Sequence, residues 1–453
     1  MTRPHNDLPT LGDKLSWDTE LDSLCNRILE CRPPHVFGVH GDWGTGKTSF
    51  MRQLQWRLGA DLDSNDGSIG DDRPFQSEDC RKARKHRKAL IATVWFEAWR
   101  YQGESAPVVA LLHEMRRQLA LAPAFKKELG KLGEVAGRYL LGALGEAANK
   151  IGLECAINPT RIQEIGEKWE AEHYSVELAS DSIRSLLTQT IKTLLPKSDE
   201  ARVVVFIDDL DRCNPEAALR LLEGLKIYLH LPNCVFVLGM NEQTLVDALA
   251  MKLPSAKDTP LSAMQLRAAH YLEKICTDIF RLPSPPDPAL HLGEWLGNTD
   301  QRAALILVNN NLQCLPPNPR RLKALANQWW RFERRVPWPD DSADQENWIA
   351  RVLIAAYIYQ FHRDLWERWR FHPGFWSELV AWCCGEQSSQ AQWGASLTLP
   401  ERLSLGASNA VIWSSAYLDP NAIEIFWIGS LIRAKRQYLT EQDFVRLLTT
   451  DGA

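Results

Sequence analysis

The stretch Gly41-Asp42-Trp43-Gly44-Thr45-Gly46-Lys47-Thr48 meets every position of the pattern G-x-x-x-x-G-K-[ST]. Residues of these types at this spacing can cradle phosphates. Glycines let successive backbone N–H groups curl around an anion, and the helix that follows adds the partial positive charge of its N-terminus. Lys47 would reach the β- and γ-phosphates of a nucleotide, Thr48 would offer its hydroxyl to Mg²⁺, and Ser49 would complete the loop.

A second centre follows the apolar run of residues 203–207, where Asp208, Asp209 and Asp211 come in quick succession. Asp208 would hold Mg²⁺, directly or through water. Asp209 stands where a water-activating base would sit, and Asp211 is the reserve for that task. Glu97 ends another apolar run, residues 90–96. Because ligands gather at the carboxyl ends of parallel strands, Glu97 reads either as a catalytic group or as a capping and salt-bridging one. Asn241, just past residues 234–238, either senses a γ-phosphate or caps the helix that begins at Glu242.

These groups need a sheet to align them. Residues 35–40, 90–96, 202–207, 234–238 and 278–282 have the length and β-branched content of buried strands. Helical spacing is expected at 11–32, 49–58, 106–122 and 162–195, with a Gly/Ala-rich helical insertion over 123–160. Asn214-Pro215 has the cap and first-position proline of a helix start. Residues 59–88 open acidic and close basic, and read as an exposed charged insertion. Its Arg81, Lys82, Arg84, Lys85, Arg87 and Lys88 form either a nucleic-acid contact or a solvated loop.

At 453 residues the chain is long enough for two or three domains. A net charge of -5 argues against a surface that coats nucleic acid throughout. Ten cysteines without a C-x-x-C pair fit packed thiols, and the eleven histidines show no metal-ligand spacing. The first residues have no apolar signal core, and no run has the length of a membrane span, which predicts a cytoplasmic protein. Beyond the prolines at 283–288 the patterns turn wholly helical. Twelve of the eighteen tryptophans lie past residue 290, the mark of a dense core or partner surface. Asn318-Pro319 opens one of these helices. Arg320 or Arg321 there could report on a γ-phosphate, or belong to an ordinary basic surface helix.

Taken in order, Gly41 to Ser49, Phe96-Glu97-Ala98-Trp99-Arg100-Tyr101, Ile207-Asp208-Asp209-Leu210-Asp211-Arg212-Cys213, Tyr271-Leu272-Glu273-Lys274-Ile275 and Asn318-Pro319-Arg320 resemble the KAP family of P-loop NTPases, over roughly residues 10–330. The resemblance implies an α/β fold. A three-layer P-loop core would carry a mainly parallel central sheet, with an extra strand between the loop strand and the Walker B strand. An all-helical C-terminal region would follow. The expected organisation is a core over 1–285 and a helical sensor or lid over 286–340, followed by a Trp-rich helical domain over 341–453 that rests on composition and lies beyond the resemblance. The resemblance strengthens Asp208, Asp209, Glu97 and Arg320 as site residues and leaves Arg212 as a trans-acting candidate. Many relatives carry membrane helices between the loop and Walker B; the charged equivalent here argues against that attachment. The resemblance also implies a role in excluding phage and mobile elements, with a homo-oligomer or an effector protein as partner. The expectation is an ATP- and Mg²⁺-dependent hydrolase acting as a conformational switch. Its rivals are a nucleic-acid-stimulated motor and a non-hydrolysing scaffold. ATP is favoured over GTP because no N-K-x-D string occurs.

Overall fold

The computed structural model describes residues 7–13, 15–62, 78–104, 107–119, 188, 191–193, 195–228, 231–252, 260–276, 278–285, 287–372, 374–384 and 420–448. The insertion expected at 123–160 and nearly all of the helix expected at 162–195 lie outside the described residues. The chain divides into two compact units, one of residues 8–283 and one of residues 284–453 together with 1–7.

The first unit is built on five strands: β1 (His35–His40), β2 (Ile91–Glu97), β3 (Arg202–Asp208), β4 (Cys234–Met240) and β5 (Asp278–Arg281). They form one sheet in the order β2-β3-β4-β1-β5, with every pairing parallel. A parallel sheet needs cover on both faces, which is why β3 and β4, in the middle, are buried at every position. β4 lies between the loop strand β1 and the acidic strand β3. That is the extra strand the resemblance implied. The register also aligns the strand tips, setting Glu97 opposite Asp208. On the outer side of β2, the Gln118 side chain accepts the Trp95 N–H at 2.7 Å and donates to the Trp95 carbonyl at 2.7 Å, closing part of an exposed edge.

Helices α1 (Asp18–Glu30), α2 (Lys47–Arg57), α3 (Glu78–Leu90), α4 (Pro107–Leu119), α5 (Pro215–Tyr228), α6 (Glu242–Ala250) and α7 (Leu261–Glu273) belong to this unit. Two sequence expectations change here. The helix expected from residue 11 starts at Asp18, because the Asp13 carboxylate accepts the N–H groups of Trp17 at 2.8 Å and Asp18 at 3.0 Å and so fixes the helix start. The residues before it run along α2 instead, where Gln53 donates to the carbonyls of Thr10 and Gly12 at 3.1 Å each. The second concerns the charged stretch 59–88, whose described end is helix α3 rather than a loop, with the helix's described residues exposed or half-buried. Arg84 donates to the carbonyls of Trp56 at 3.0 Å and Ala60 at 2.6 Å, and Arg84 and Lys88 both pair with Asp61. Arg81, Lys82, Lys85 and His86 remain on the exposed face.

α2 is buried on nearly all sides, polar residues included, because each polar side chain has a use. Gln55 donates to the Thr93 hydroxyl at 3.3 Å, and Arg57 pairs with Asp22 at 2.6 Å and with Asp18. The helix that carries the phosphate loop is thus bound to α1, to β2 and to the leading segment at once. Its loop end is held in place before any ligand arrives.

The second unit contains helices α8 (Pro288–Leu296), α9 (Thr299–Leu312), α10 (Pro319–Glu333), α11 (Ser342–Phe361), α12 (Arg363–Phe371), α13 (Phe375–Cys383), α14 (Pro420–Lys435) and α15 (Glu441–Leu448). The regions expected at 286–340 and 341–453 share one apolar core, running from Ala289 to Leu447. Tryptophans pack against one another within it: Trp329 with Trp348 at 5.7 Å between ring centres, Trp338 with Trp348 at 4.8 Å, and Trp369 with Trp376 at 5.7 Å. Edge-to-face and offset contacts of this kind suit the ring quadrupole. The described tryptophans here are chiefly core. No helix among the described residues is long and apolar enough to cross a membrane.

Candidate functional site

The loop between β1 and α2 keeps its shape through backbone conformations that only glycine adopts freely. Gly46 has φ 96° and caps α2, and a Cβ there would stand 2.6 Å from the Trp17 ring. The α2 N-terminus therefore opens directly onto the loop. Lys47 is 8 % exposed; its Nζ donates to the Gly41 carbonyl at 2.6 Å and the Asp42 carbonyl at 3.3 Å, and lies 3.6 Å from Asp211 Oδ2. Thr45 Oγ1 donates to the Asp42 carbonyl at 2.7 Å, and Gly44, with φ 83°, completes the turn.

Of the two readings of Asn241, the helix cap is the one seen. Its Oδ1 accepts the Thr244 N–H at 3.0 Å as the cap of α6, while its Nδ2 donates to Asp42 Oδ1 at 3.0 Å and so ties the β4 tip to the loop. Beside it, His40 Nδ1 accepts the Glu242 N–H at 3.0 Å, and burial holds its pKa below the usual histidine value. Ser49 Oγ accepts the Thr10 N–H at 3.1 Å, which turns it toward the leading segment.

Asp208 ends β3 at 1 % exposure. Burial, and then the neighbouring Asp209 charge, raise its pKa above the ordinary carboxylate value, while a hydrogen bond from the Thr48 hydroxyl works the other way. Its Oδ1 is buried with no hydrogen-bond partner among the described residues. A buried carboxylate oxygen left without a partner is costly unless a cation is to meet it. The hydroxyl of Thr48 and the carboxylate of Asp208 are hard oxygen donors side by side, so the residues present fit Mg²⁺.

Asp209 has φ 58° and ψ 31°, a left-handed conformation that Asp tolerates better than most residues, and its strain is of the kind stored at functional sites. Its carboxylate pairs with Arg212 at 2.9 Å. Burial nonetheless keeps its pKa raised, assisted by Asp211 and Glu97 and opposed by Arg212. Asp211 meets two loop residues: Oδ2 accepts the Trp43 indole N–H at 2.7 Å and faces Lys47. Glu97 is engaged by Arg52 at 3.8 Å and by Arg100. The Arg52 guanidinium lies 3.6 Å from the centre of the Trp95 ring, a cation–π contact that fixes its direction.

Lys47, Thr48, Asp208, Asp209 and Asp211 therefore meet at the tips of β1 and β3, with Asn241 joined through Asp42 and Glu97 in register beside Asp208. Arg320 belongs to the second unit, where it pairs with Asp7 at 2.9 Å across an exposed surface. Arg52 was not picked out from the sequence. The available signal was a charged residue within the buried turns of α2. Asp211 as a partner of Trp43 had no signal at all, since the two are 168 positions apart.

Comparison with known proteins identifies the family. The family model described as the KAP family P-loop domain matches residues 18–291, more than half of the chain. No curated protein matches. Among solved structures, the Aeropyrum pernix ORC1 protein in complex with DNA is similar at 12 % identity and a TM-score of 0.35, over 90 % of this chain and 83 % of that one. A likeness so loose carries no argument here.

Proposed function

This chain belongs to the KAP family of P-loop NTPases, and from that premise we propose that it is an Mg²⁺-dependent ATPase acting as a nucleotide-driven switch. The observation that carries the reading is the Oδ1 of buried Asp208, which has no hydrogen-bond partner among the described residues, beside the Thr48 hydroxyl and the lysine-bearing loop. Thr48 and Asp208 would hold Mg²⁺, which when bound neutralises charge on the β- and γ-phosphate oxygens. The loop N–H groups and Lys47 bind and orient the phosphates. Asp209 orients the attacking water and takes its proton. Its raised pKa suits that task, because a base works best with a pKa near the operating pH. Positioning and charge stabilisation supply most of the acceleration in phosphoryl transfer. Glu97, held by Arg52 and Arg100, shapes the field on the β2 side of the site. ATP is preferred to GTP on the missing guanine-reading string. The role in bacterial defence, and a second copy or an effector chain as partner, rest on the family resemblance alone.

A second reading, a nucleic-acid-stimulated motor, is favoured by the exposed face of α3 that Arg81, Lys82 and Lys85 share. One experiment addresses both: phosphate release by the wild type, Lys47→Ala and Asp209→Asn, with and without double-stranded DNA. The ATPase reading expects turnover in the wild type and its loss in both variants. Turnover that persists in Lys47→Ala contradicts it, and wild-type binding without turnover supports a scaffold instead. Salt-sensitive stimulation by DNA would select the motor.

A further inference from the structure

The loop lysine already has an anion beside it, and that anion also holds the loop's tryptophan. Asp211 Oδ2 takes the Trp43 indole N–H at 2.7 Å and stands 3.6 Å from Lys47 Nζ. Asp211 is 7 % exposed, and its Oδ1 is buried with no hydrogen-bond partner among the described residues. The charge of this carboxylate is thus answered by one ammonium and one indole. Trp43, in contrast, is 58 % exposed, an unusual place for so large an apolar ring. Its indole N–H is held by Asp211, within the turn at Leu210–Arg212.

We propose that Asp211 is a positioning residue: it serves as a surrogate anion for Lys47 until a nucleotide arrives, and it surrenders Lys47 to the phosphates while Trp43 reports the exchange. This deepens the ATPase reading and rests on it. Lys47 can direct its N–H groups to incoming phosphate oxygens only by giving up present acceptors, the Gly41 and Asp42 carbonyls, and by turning from Asp211. Asp211 then keeps the indole N–H alone, and a buried carboxylate so poorly answered is driven toward solvent. The turn that carries Asp211 also carries Arg212, the partner of Asp209. Exchange at Lys47 therefore reaches the base through a turn three residues long. The same contacts argue against Asp211 as the general base. A carboxylate engaged by an ammonium and an indole is poorly placed to take a proton from water.

The test measures ATP affinity by calorimetry, turnover by phosphate release, and tryptophan emission on adding ATP, in the wild type, Asp211→Asn and Trp43→Phe. The asparagine keeps an acceptor for the indole and removes the charge. Its ATP affinity should rise about tenfold, because no unit charge then competes with the phosphates for Lys47. Its turnover should stay within about tenfold of the wild type, short of the loss expected on deleting a base. The ATP-induced emission change of the wild type should vanish in Trp43→Phe. Unchanged affinity with abolished turnover in Asp211→Asn would make Asp211 the base and overturn the proposal. An emission change that survives in Trp43→Phe would also overturn it. Should Asp211→Asn fail to fold, the Trp43→Phe emission decides alone. No ATP binding by the wild type would defeat the ATPase reading itself, a result distinct from either of these.

Discussion

The strand tips of the first unit and the aromatic core of the second both bury polar atoms without partners, yet the two sets differ in kind. In the helical unit, among the described residues, they are mostly neutral, the Tyr357 hydroxyl and the indole nitrogens of Trp329 and Trp369 among them, and the buried Arg351 Nε belongs to a guanidinium that pairs with Asp443 at 3.3 Å. Neighbouring indoles do find acceptors, as Trp348 does in the Val336 carbonyl at 3.1 Å and Trp376 in the Leu439 carbonyl at 3.0 Å. At the strand tips they include carboxylate oxygens, Asp208 Oδ1 and Asp211 Oδ1, which have no partner among the described residues. A neutral group left unsatisfied costs on the order of 1–3 kcal/mol, which a well-packed aromatic core can absorb. A buried carboxylate costs several kcal/mol more and marks a place built for a cation or for movement. The contrast separates packing from function.

The largest effect expected lies in the helical core. Trp348→Ala removes a ring with no exposure that touches both Trp329 and Trp338, and should lower the unfolding free energy by about 3–5 kcal/mol, read from the denaturant midpoint. A change under about 1 kcal/mol would mean that this core is loosely packed. Next is Lys47→Ala, which should reduce turnover by about 10²–10³-fold, as removal of a charge-stabilising donor does elsewhere, and should also lower the melting temperature, because it leaves the buried Asp211 carboxylate with the indole alone.

Asp208→Asn sharpens the contrast because it should do opposite things to stability and to activity. The native pKa of Asp208 lies above its unfolded value, so its contribution to stability is full below about pH 4 and is lost as pH rises through the raised native value. The asparagine avoids that loss. The nucleotide-free variant should be more stable than the wild type by about 1–2 kcal/mol at neutral pH, with the gain disappearing in acid, while turnover falls. Thermal melts across pH check the sign. The smallest effect expected is that of Tyr357→Phe, which deletes a buried hydroxyl without an acceptor among the described residues and should be neutral or stabilising by up to about 1 kcal/mol. A loss of 2 kcal/mol or so would show that this hydroxyl is bonded in solution.

Much of the site was legible because its chemistry is local in the chain. The spacing from Gly41 to Thr48 sets the loop conformation within one turn, and Asp208 follows directly from the apolar strand that ends in it. The strand order was not written in any one stretch. It came with the family resemblance, and the pairing of β4 between β1 and β3 agrees with it. Contacts that depend on tertiary approach were not legible: Asp211 with Trp43, Arg52 with Glu97, and Gln118 with the β2 edge. Charge density at residues 78–88 did not show that Arg84 and Lys88 tie a helix to the end of α2 through carbonyls and Asp61. A run of cations shows its sign in the sequence, though not which of them are already used.

The most direct test of the central claim, that the strand tips are built for a nucleotide with its metal, is calorimetric titration of ATP into the nucleotide-free protein. It would be done with and without Mg²⁺, for the wild type and for Asp208→Asn. The account predicts that Mg²⁺ tightens binding at least about tenfold in the wild type and has little effect in Asp208→Asn, since the variant lacks the carboxylate that would receive the ion. Equal affinities with and without Mg²⁺ in the wild type, or an undiminished Mg²⁺ effect in Asp208→Asn, would contradict it.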